Sequence, residues 1–338
     1  MANKKKRKTV EYDRWGWFFV APFFIIFLIF QLWPLLYTFG LAFCESWTDA
    51  MFNLEIGPTF YGAKGENIFS NFPAIFVGDS GKLFDTYTFK AIGNTIIMWV
   101  ANFIPQILLA LLLAVWFTDT RVKMKAQGAY KMLVFMPNIM MAATISVLFY
   151  KLFDYPNGPI NQILTSWGIL DDPYRFLNTK TATRGIIAFI NFWMWYGNTM
   201  IVLCAGILGI SPSLFEAARV DGASSGQIFR SVTLPLLRPI MVFTLVNSAI
   251  GGLQMFDIPK LLTTSGYGDP DYTTRTITMY IRDLAFTGSK QLGKAAAASL
   301  VLFAITLIIS LTLFYFMRDK DAIKERKMLK AARKGGWA

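Results

Sequence analysis

Histidine is absent from the chain, and cysteine occurs only at Cys44 and Cys204. Without an imidazole there is no Ser-His-Asp arrangement. Two separate thiols inside or at the ends of apolar runs make neither a zinc cluster nor a haem attachment motif. A phosphate-cradling Walker A loop is missing too: the Gly-Lys nearest to one, Gly81-Lys82, is followed by Leu83 and has Phe76 where the first glycine belongs. Charge is scarce, at 16% of residues against 54% hydrophobic, too little to make an ordinary soluble domain of 338 residues. The expectation is a chain immersed in lipid, with no catalytic residue, metal site or cofactor of its own. Any nucleotide chemistry must come from another chain.

What the sequence has is apolar length. Six charge-free stretches run from Trp15 to Cys44, Ala91 to Thr118, Met132 to Tyr150, Gly185 to Phe215, Pro239 to Phe256 and Ala295 to Met317. Each reaches the roughly 18 to 20 residues that a helix needs to cross about 30 Å of hydrocarbon. None shows the period-2 alternation of a barrel strand, so helices are the spanning structure that satisfies the backbone. The expected fold is an all-α integral membrane protein with six transmembrane helices.

Basic residues orient it. With both ends inside, the cytoplasmic segments hold 21 of the 33 Lys and Arg, and the external segments are close to neutral, an asymmetry that fixes an N-in, C-in topology. The chain then divides into a basic cytoplasmic N-terminus (1–14), a six-span domain (15–317) and a basic cytoplasmic tail (318–338). The runs Lys4-Lys5-Lys6-Arg7-Lys8 and Lys324 to Lys334 abut spans. There they set topology and meet anionic headgroups, so no nucleic-acid partner is expected. The run after Arg14 is too long for a signal-peptide core and lacks a small-residue cleavage pattern, so the first span is expected to stay.

The cytoplasmic segment between the fourth and fifth spans, 209–238, is patterned for two short helices. Ser211-Pro212 supplies an N-cap and first-turn proline for a helix through Glu216, Ala217, Ala218 and Arg219, and Asp221-Gly222 stops it, because glycine accepts the left-handed conformation that closes a helix. A second helix of about three turns is expected from Ala223 to Leu234, broken at Pro235. Two helices at an angle form a knob that can fill a groove on a partner.

Glu216-Ala217-Ala218, Gly222 and Val232-Thr233-Leu234-Pro235 resemble the EAA loop of permease subunits in binding-protein-dependent ABC importers, with Val232 where that pattern usually has Ile. Asn94-Thr95, Gly158-Pro-Ile-Asn161-Gln-Ile-Leu164 with Gly168, Phe256-Asp257, Leu261-Leu262-Thr263-Thr264 and Tyr280-Ile281 resemble the sugar-importing branch of maltose-type and glycerol-phosphate-type permeases. The resemblance covers Trp15 to Met317 and implies a type I importer permease fold in a prokaryotic cell membrane. It implies four kinds of partner: a dimer of ATP-binding cassette subunits that bind the ATP, a second permease subunit in a heterodimer, an extracytoplasmic sugar-binding protein, and the membrane. Its ATPase-coupling residues are Glu216, Ala217, Ala218, Asp221, Gly222, Leu234 and Pro235.

The residues of the spans point independently to a neutral polar cargo. Ionisable groups, which proton relays and anion clamps require, are nearly absent from the bundle. Asn191, Trp195 and Asn198 lie at i, i+4 and i+7 on one face of the fourth span, and the fifth offers Asn247 and Gln254, with Gly251-Gly252 allowing close helix approach. Amides beside an aromatic face suit a sugar, whose C–H face stacks while its hydroxyls take donors and acceptors. A glycerol phosphodiester or a peptide is the alternative cargo; an anionic one would call for a cavity-facing Arg or Lys. A secondary transporter is disfavoured, since it would need a buried ionisable coupling residue.

Overall fold

The computed structural model describes residues 13–44, 68–77, 86–119, 125–263, 265–288, 290–317 and 328. The basic runs at 4–8 and, Met328 apart, 324–334 lie outside these residues, as do Gly81-Lys82 and Thr264. Among the described residues the regular structure is helical. In chain order the helices are α1 (Asp13–Phe27), α2 (Trp33–Leu41), α3 (Asn71–Phe76), α4 (Tyr87–Thr118), α5 (Gln127–Ile139), α6 (Ala142–Leu152), α7 (Pro159–Ser166), α8 (Lys180–Leu208), α9 (Pro212–Val220), α10 (Ser225–Ile228), α11 (Leu234–Leu253), α12 (Asp257–Leu262), α13 (Ile277–Phe286) and α14 (Leu292–Phe316). Five helical segments are long and apolar enough to span a membrane, and the bent pair α5–α6 makes a sixth.

That bend corrects the expectation of a straight third span from Met132 to Tyr150. The two helices meet at 88°. Pro137 lies in the last turn of α5, and Met140 and Met141 are extended at the junction. A proline removes one backbone donor and crowds the preceding turn. The Asn138 side chain donates to the Met194 carbonyl of α8 at 3.2 Å, fastening the corner to its neighbour.

A second correction concerns Pro235, which does not break its helix. A π turn at Phe229–Thr233 joins α10 directly to α11, and its shifted hydrogen-bond register accommodates Pro235, which has no N–H to give. The same device precedes Pro34: the π turn Leu28–Leu32 joins α1 to α2. The fourth and fifth spans also end sooner than their apolar runs. Helix α8 stops at Leu208 rather than Phe215, because Pro212 starts a new helix, and α11 stops at Leu253 rather than Phe256.

The chain forms two compact units, 1–75 with 284–300, and 76–283 with 301–338. In the first, the fully buried Asn71 side chain donates to the carbonyls of Ala42 at 3.0 Å and Cys44 at 2.7 Å. The α1–α2 stretch from Gly16 to Leu41 buries none of its apolar window within the chain, as suits a lipid-facing segment.

The larger unit is organised around α4 and α8. Ala110, Ala114, Met200, Leu203, Cys204 and Ile207 form one buried cluster with Leu237. Met98, Ile187 and Ile190 anchor a second, in which α6 and α12 also take part. Gly197 of α8 lies so close to α5 that an added Cβ would overlap the Val134 carbonyl oxygen, and one at Gly252 would overlap the Trp99 ring. Gly251, by contrast, faces open space.

The ends of α4 and α8 that the topology places outside are tied to the segment before α13. Asn94 donates to the carbonyl of Tyr272 at 2.8 Å, Arg184 Nε donates to that of Thr273 at 2.9 Å, and Thr95 Oγ1 accepts from the Ile277 amide at 3.0 Å. Arg275 pairs with the buried Asp283 at 2.7 Å. Arg184 and Arg275 thus lie near helix ends rather than in the middle of a span, although Arg275 Nε and Asp283 Oδ1 make no hydrogen bond.

Helix proximity at Gly197 leads to a prediction. Gly197→Ala should cost about 1–3 kcal/mol through overpacking against the α5 backbone, whereas Gly93→Ala, with open space around it, should be neutral. Melting of the detergent-solubilised protein measures both, and equal melting temperatures would contradict the packing described.

Candidate functional site: an uncharged cavity and a cytoplasmic two-helix knob

A cavity of about 270 Å³ opens between α4, α8 and α11. From α8 it is lined by Asn191, Trp195, Asn198, Thr199 and Val202. Helix α11 contributes Thr244, Asn247, Ser248, Gly251 and Gly252, and α4 adds Asn102 and Gln106. Four of the five residues expected from the sequence therefore converge. Gln254 does not: it is the exposed C-cap residue of α11 and is not among the lining residues.

Asn102, Gln106, Thr199, Thr244 and Ser248 are lining residues that the sequence reading passed over. A signal for two of them was present, since Asn102 and Gln106 stand at i and i+4 in a charge-free run, the spacing that singled out Asn191 and Trp195. Gln106 and Thr199, both buried, join α4 to α8: Gln106 Nε2 donates to Thr199 Oγ1 at 2.8 Å, and that hydroxyl donates to the Trp195 carbonyl at 3.1 Å. The Asn191 amide nitrogen donates back to the Ile187 carbonyl at 2.9 Å. Among the described residues, the side-chain amides of Asn102, Asn198 and Asn247 have no hydrogen-bond partner. Trp195 is half exposed, at 47%. No charged residue lines the cavity among the described residues. Unpartnered amides beside an exposed indole leave hydrogen-bonding capacity and a stacking face to be met by a ligand or water.

At the cytoplasmic side, α9 starts at Pro212. Ser211 precedes it, but its hydroxyl pairs with Ser213 Oγ at 2.8 Å and caps no backbone amide. The expected stop at Asp221-Gly222 is a Schellman closure. Gly222 adopts φ +75°, its amide bonds the Arg219 carbonyl at 3.0 Å, and the Ala223 amide bonds the Ala218 carbonyl at 2.9 Å. The second helix begins at Ser225 rather than Ala223, because Ser224 and Gln227 form a capping box. Its inward face carries Ile228, Phe229 and Thr233, which with Phe215 line a second cavity of about 200 Å³ that Glu216 and Arg219 also border. Glu216, Ala217, Asp221, Gly222 and Pro235 are exposed, and Ala218 and Leu234 are half-buried. Helix α9 has no buried residue, and Val220 at its end is 88% exposed.

Comparison with known proteins fixes the family. The sequence profile described as "Binding-protein-dependent transport system inner membrane component" matches residues 74–323. The chain belongs to that family, and is therefore a multi-pass inner membrane transport subunit rather than an enzyme. It is 30% identical over 311 residues to the lactose transport system permease protein LacF of Rhizobium radiobacter, covering 91% of this chain and 96% of that one. It is 29% identical to the multiple sugar-binding transport system permease protein MsmF of Streptococcus mutans, over 88% of this chain and 92% of that relative. Among solved structures, a chain of a bacterial ABC transporter involved in the import of the acidic polysaccharide alginate superimposes with a TM-score of 0.69 at 25% identity, over 91% of this chain and 96% of that chain. The expected type I importer permease fold is borne out.

A cysteine reporter checks the cavity. Val202→Cys, in a chain whose buried Cys44 and Cys204 are replaced by serine, should react with a water-soluble maleimide at least about tenfold faster than the native thiols, because only exposed thiolate is reactive. Equal rates would mean that the cavity is closed to water.

Proposed function

We propose that this chain is the membrane-spanning subunit of an ATP-driven sugar importer, and that its α4–α8–α11 cavity holds the sugar during passage. The observation that carries this reading is the cavity itself: three unpartnered amides and an exposed indole in an uncharged wall. Hydroxyls of an oligosaccharide supply the donors and acceptors those amides lack, and Trp195 stacks on the C–H face of a ring. The names of the lactose and multiple-sugar relatives support the same cargo class. A glycerol phosphodiester fits less well, since no cation lines the wall to meet its phosphate.

The external binding protein delivers the sugar, and a second permease subunit completes the pathway as a heterodimer. Two ATP-binding cassette subunits bind and hydrolyse the ATP. In this assembly 15–317 is the permease domain, 1–14 and 318–338 are cytoplasmic flanks, and 209–238 is the coupling loop. Helix α9, most of whose surface is exposed, enters a groove of one ATPase. Glu216, Ala217 and Ala218 lie in the docked helix, Asp221 and Gly222 turn the corner, and Leu234 with Pro235 pass the motion into α11. Because α10, its π turn and α11 are continuous, displacement of the loop moves the helix that carries Asn247 and Ser248.

Gly222 separates folding from coupling. A Cβ there meets nothing within 4 Å, so Gly222→Ala should cost only about 1 kcal/mol for its left-handed backbone and keep transport. Gly222→Trp adds bulk that a docked ATPase alone would encounter. It should insert normally yet lose sugar-stimulated ATP hydrolysis and uptake by the reconstituted complex. Full uptake by the tryptophan variant would overturn the docking role.

A further inference from the structure

Family membership leaves the charge of the cargo open, because one relative imports an acidic polysaccharide and another is named for lactose. The cavity wall carries information on this point, and the inference drawn from it rests on the reading of that cavity as the cargo site.

Four of its polar side chains have a donor engaged within the protein: Thr199, whose hydroxyl donates to the Trp195 carbonyl while accepting from Gln106, and three that keep acceptor capacity. Gln106 gives an amide hydrogen to Thr199, Asn191 gives one to the Ile187 carbonyl, and Thr244 gives its only hydroxyl proton to the Ile240 carbonyl at 2.8 Å. With nitrogen or proton turned toward the helices, Gln106 and Asn191 keep their carbonyl oxygens unmatched among the described residues, and Thr244 keeps only lone pairs. At these three positions the wall presents acceptors. Asn102, Asn198, Asn247 and Ser248 remain uncommitted and can give or take.

A sugar hydroxyl suits such a wall, because it donates to the fixed acceptors and accepts from the free amides. A carboxylate or sulfonate oxygen has no proton to give. It would face the oxygens of Gln106, Asn191 and Thr244 with no Lys or Arg among the lining residues, after losing water that had solvated its charge. Two cations at the outer ends of α8 and α13, Arg184 and Arg275, are committed elsewhere: Arg184 to Asn94 and the Thr273 carbonyl, Arg275 to Asp283.

We infer that the cavity selects uncharged, hydroxyl-rich saccharides against uronate or sulfonate sugars, and that Gln106, Asn191 and Thr244 set this preference by presenting oxygen acceptors. The three are specificity-determining residues, with Thr199 positioning Gln106. The selection acts in the membrane, independently of whatever choice the binding protein makes.

The test uses the assembled transporter, with the Val202→Cys reporter, in its ATP-bound and nucleotide-free states. Neutral di- to pentasaccharides and uronate oligosaccharides of matched length are compared as protectants against maleimide labelling. At least one neutral saccharide should slow labelling at a concentration roughly tenfold below any uronate, which corresponds to about 1.4 kcal/mol. Adding a cation with Asn198→Lys should give uronates protection they lacked, in a protein whose unprotected labelling rate shows an open cavity. Equal protection by uronates in the parent overturns charge selection while leaving the cargo site intact. The same holds if Asn198→Lys labels normally but gains no uronate protection. Absence of protection by every saccharide in both states overturns the cargo-site reading, and this inference with it.

Discussion

Helices α4 and α8 meet without the hydrophobic driving force available in water, since lipid tails are as apolar as the side chains they would replace. Their contact depends on small residues and shared hydrogen bonds. Ala110 and Ala114 are fully buried against Met200, Leu203 and Cys204, and Gln106 reaches across to Thr199. The ends that the topology places outside are fastened by Asn94 and Arg184 to the segment before α13. With those two helices fixed, α5 can lie against the flat face at Gly197 and α11 can close on Trp99 at Gly252. The cavity is the polar remainder of this packing, bounded by α4, α8 and α11 where their amides are not used up between helices.

The placement of polarity follows from that constraint. Among the described residues of the larger unit the buried charged side chain is Asp283 of α13, which pairs with the half-buried Arg275. Within the spans the polar groups are amides and hydroxyls, and many of the hydroxyls bond back to their own helix, as Thr95, Ser146 and Thr244 do. A wall of this kind has hydrogen-bonding direction without net charge, which is the physical basis for assigning it a neutral sugar. The cytoplasmic knob follows a different rule: α9 closes in a Schellman turn, packs Phe215 against the core and keeps most of its surface exposed.

Much of this was legible in the sequence because lipid simplifies the code. Charge-free length marked the spans, and Lys and Arg gave their orientation. The Asn191, Trp195 and Asn198 face required only the 3.6-residue repeat, and Gly222 required only the cost of a left-handed backbone. The departures have local causes. Pro235 reads as a breaker, yet the π turn before it shifts the hydrogen-bond register and lets the helix continue. The third span bends beyond Pro137 at two extended methionines that carry no turn signature. Gln254 lies inside the charge-free run Pro239 to Phe256 but falls one residue past the end of α11, and is thus displaced from the cavity face. Asn102 and Gln106 were visible as a spaced pair, but their role depends on which neighbour α4 meets, and that is a property of the packing.

The central claim is that this chain itself holds the cargo. A structure of the assembled transporter, with ATP and a sugar-loaded binding protein, tests it most directly. The account predicts saccharide density against Trp195, with hydroxyls within hydrogen-bond distance of Asn102, Asn198 or Asn247. Density confined to the second permease subunit, with these amides still unoccupied, would contradict it.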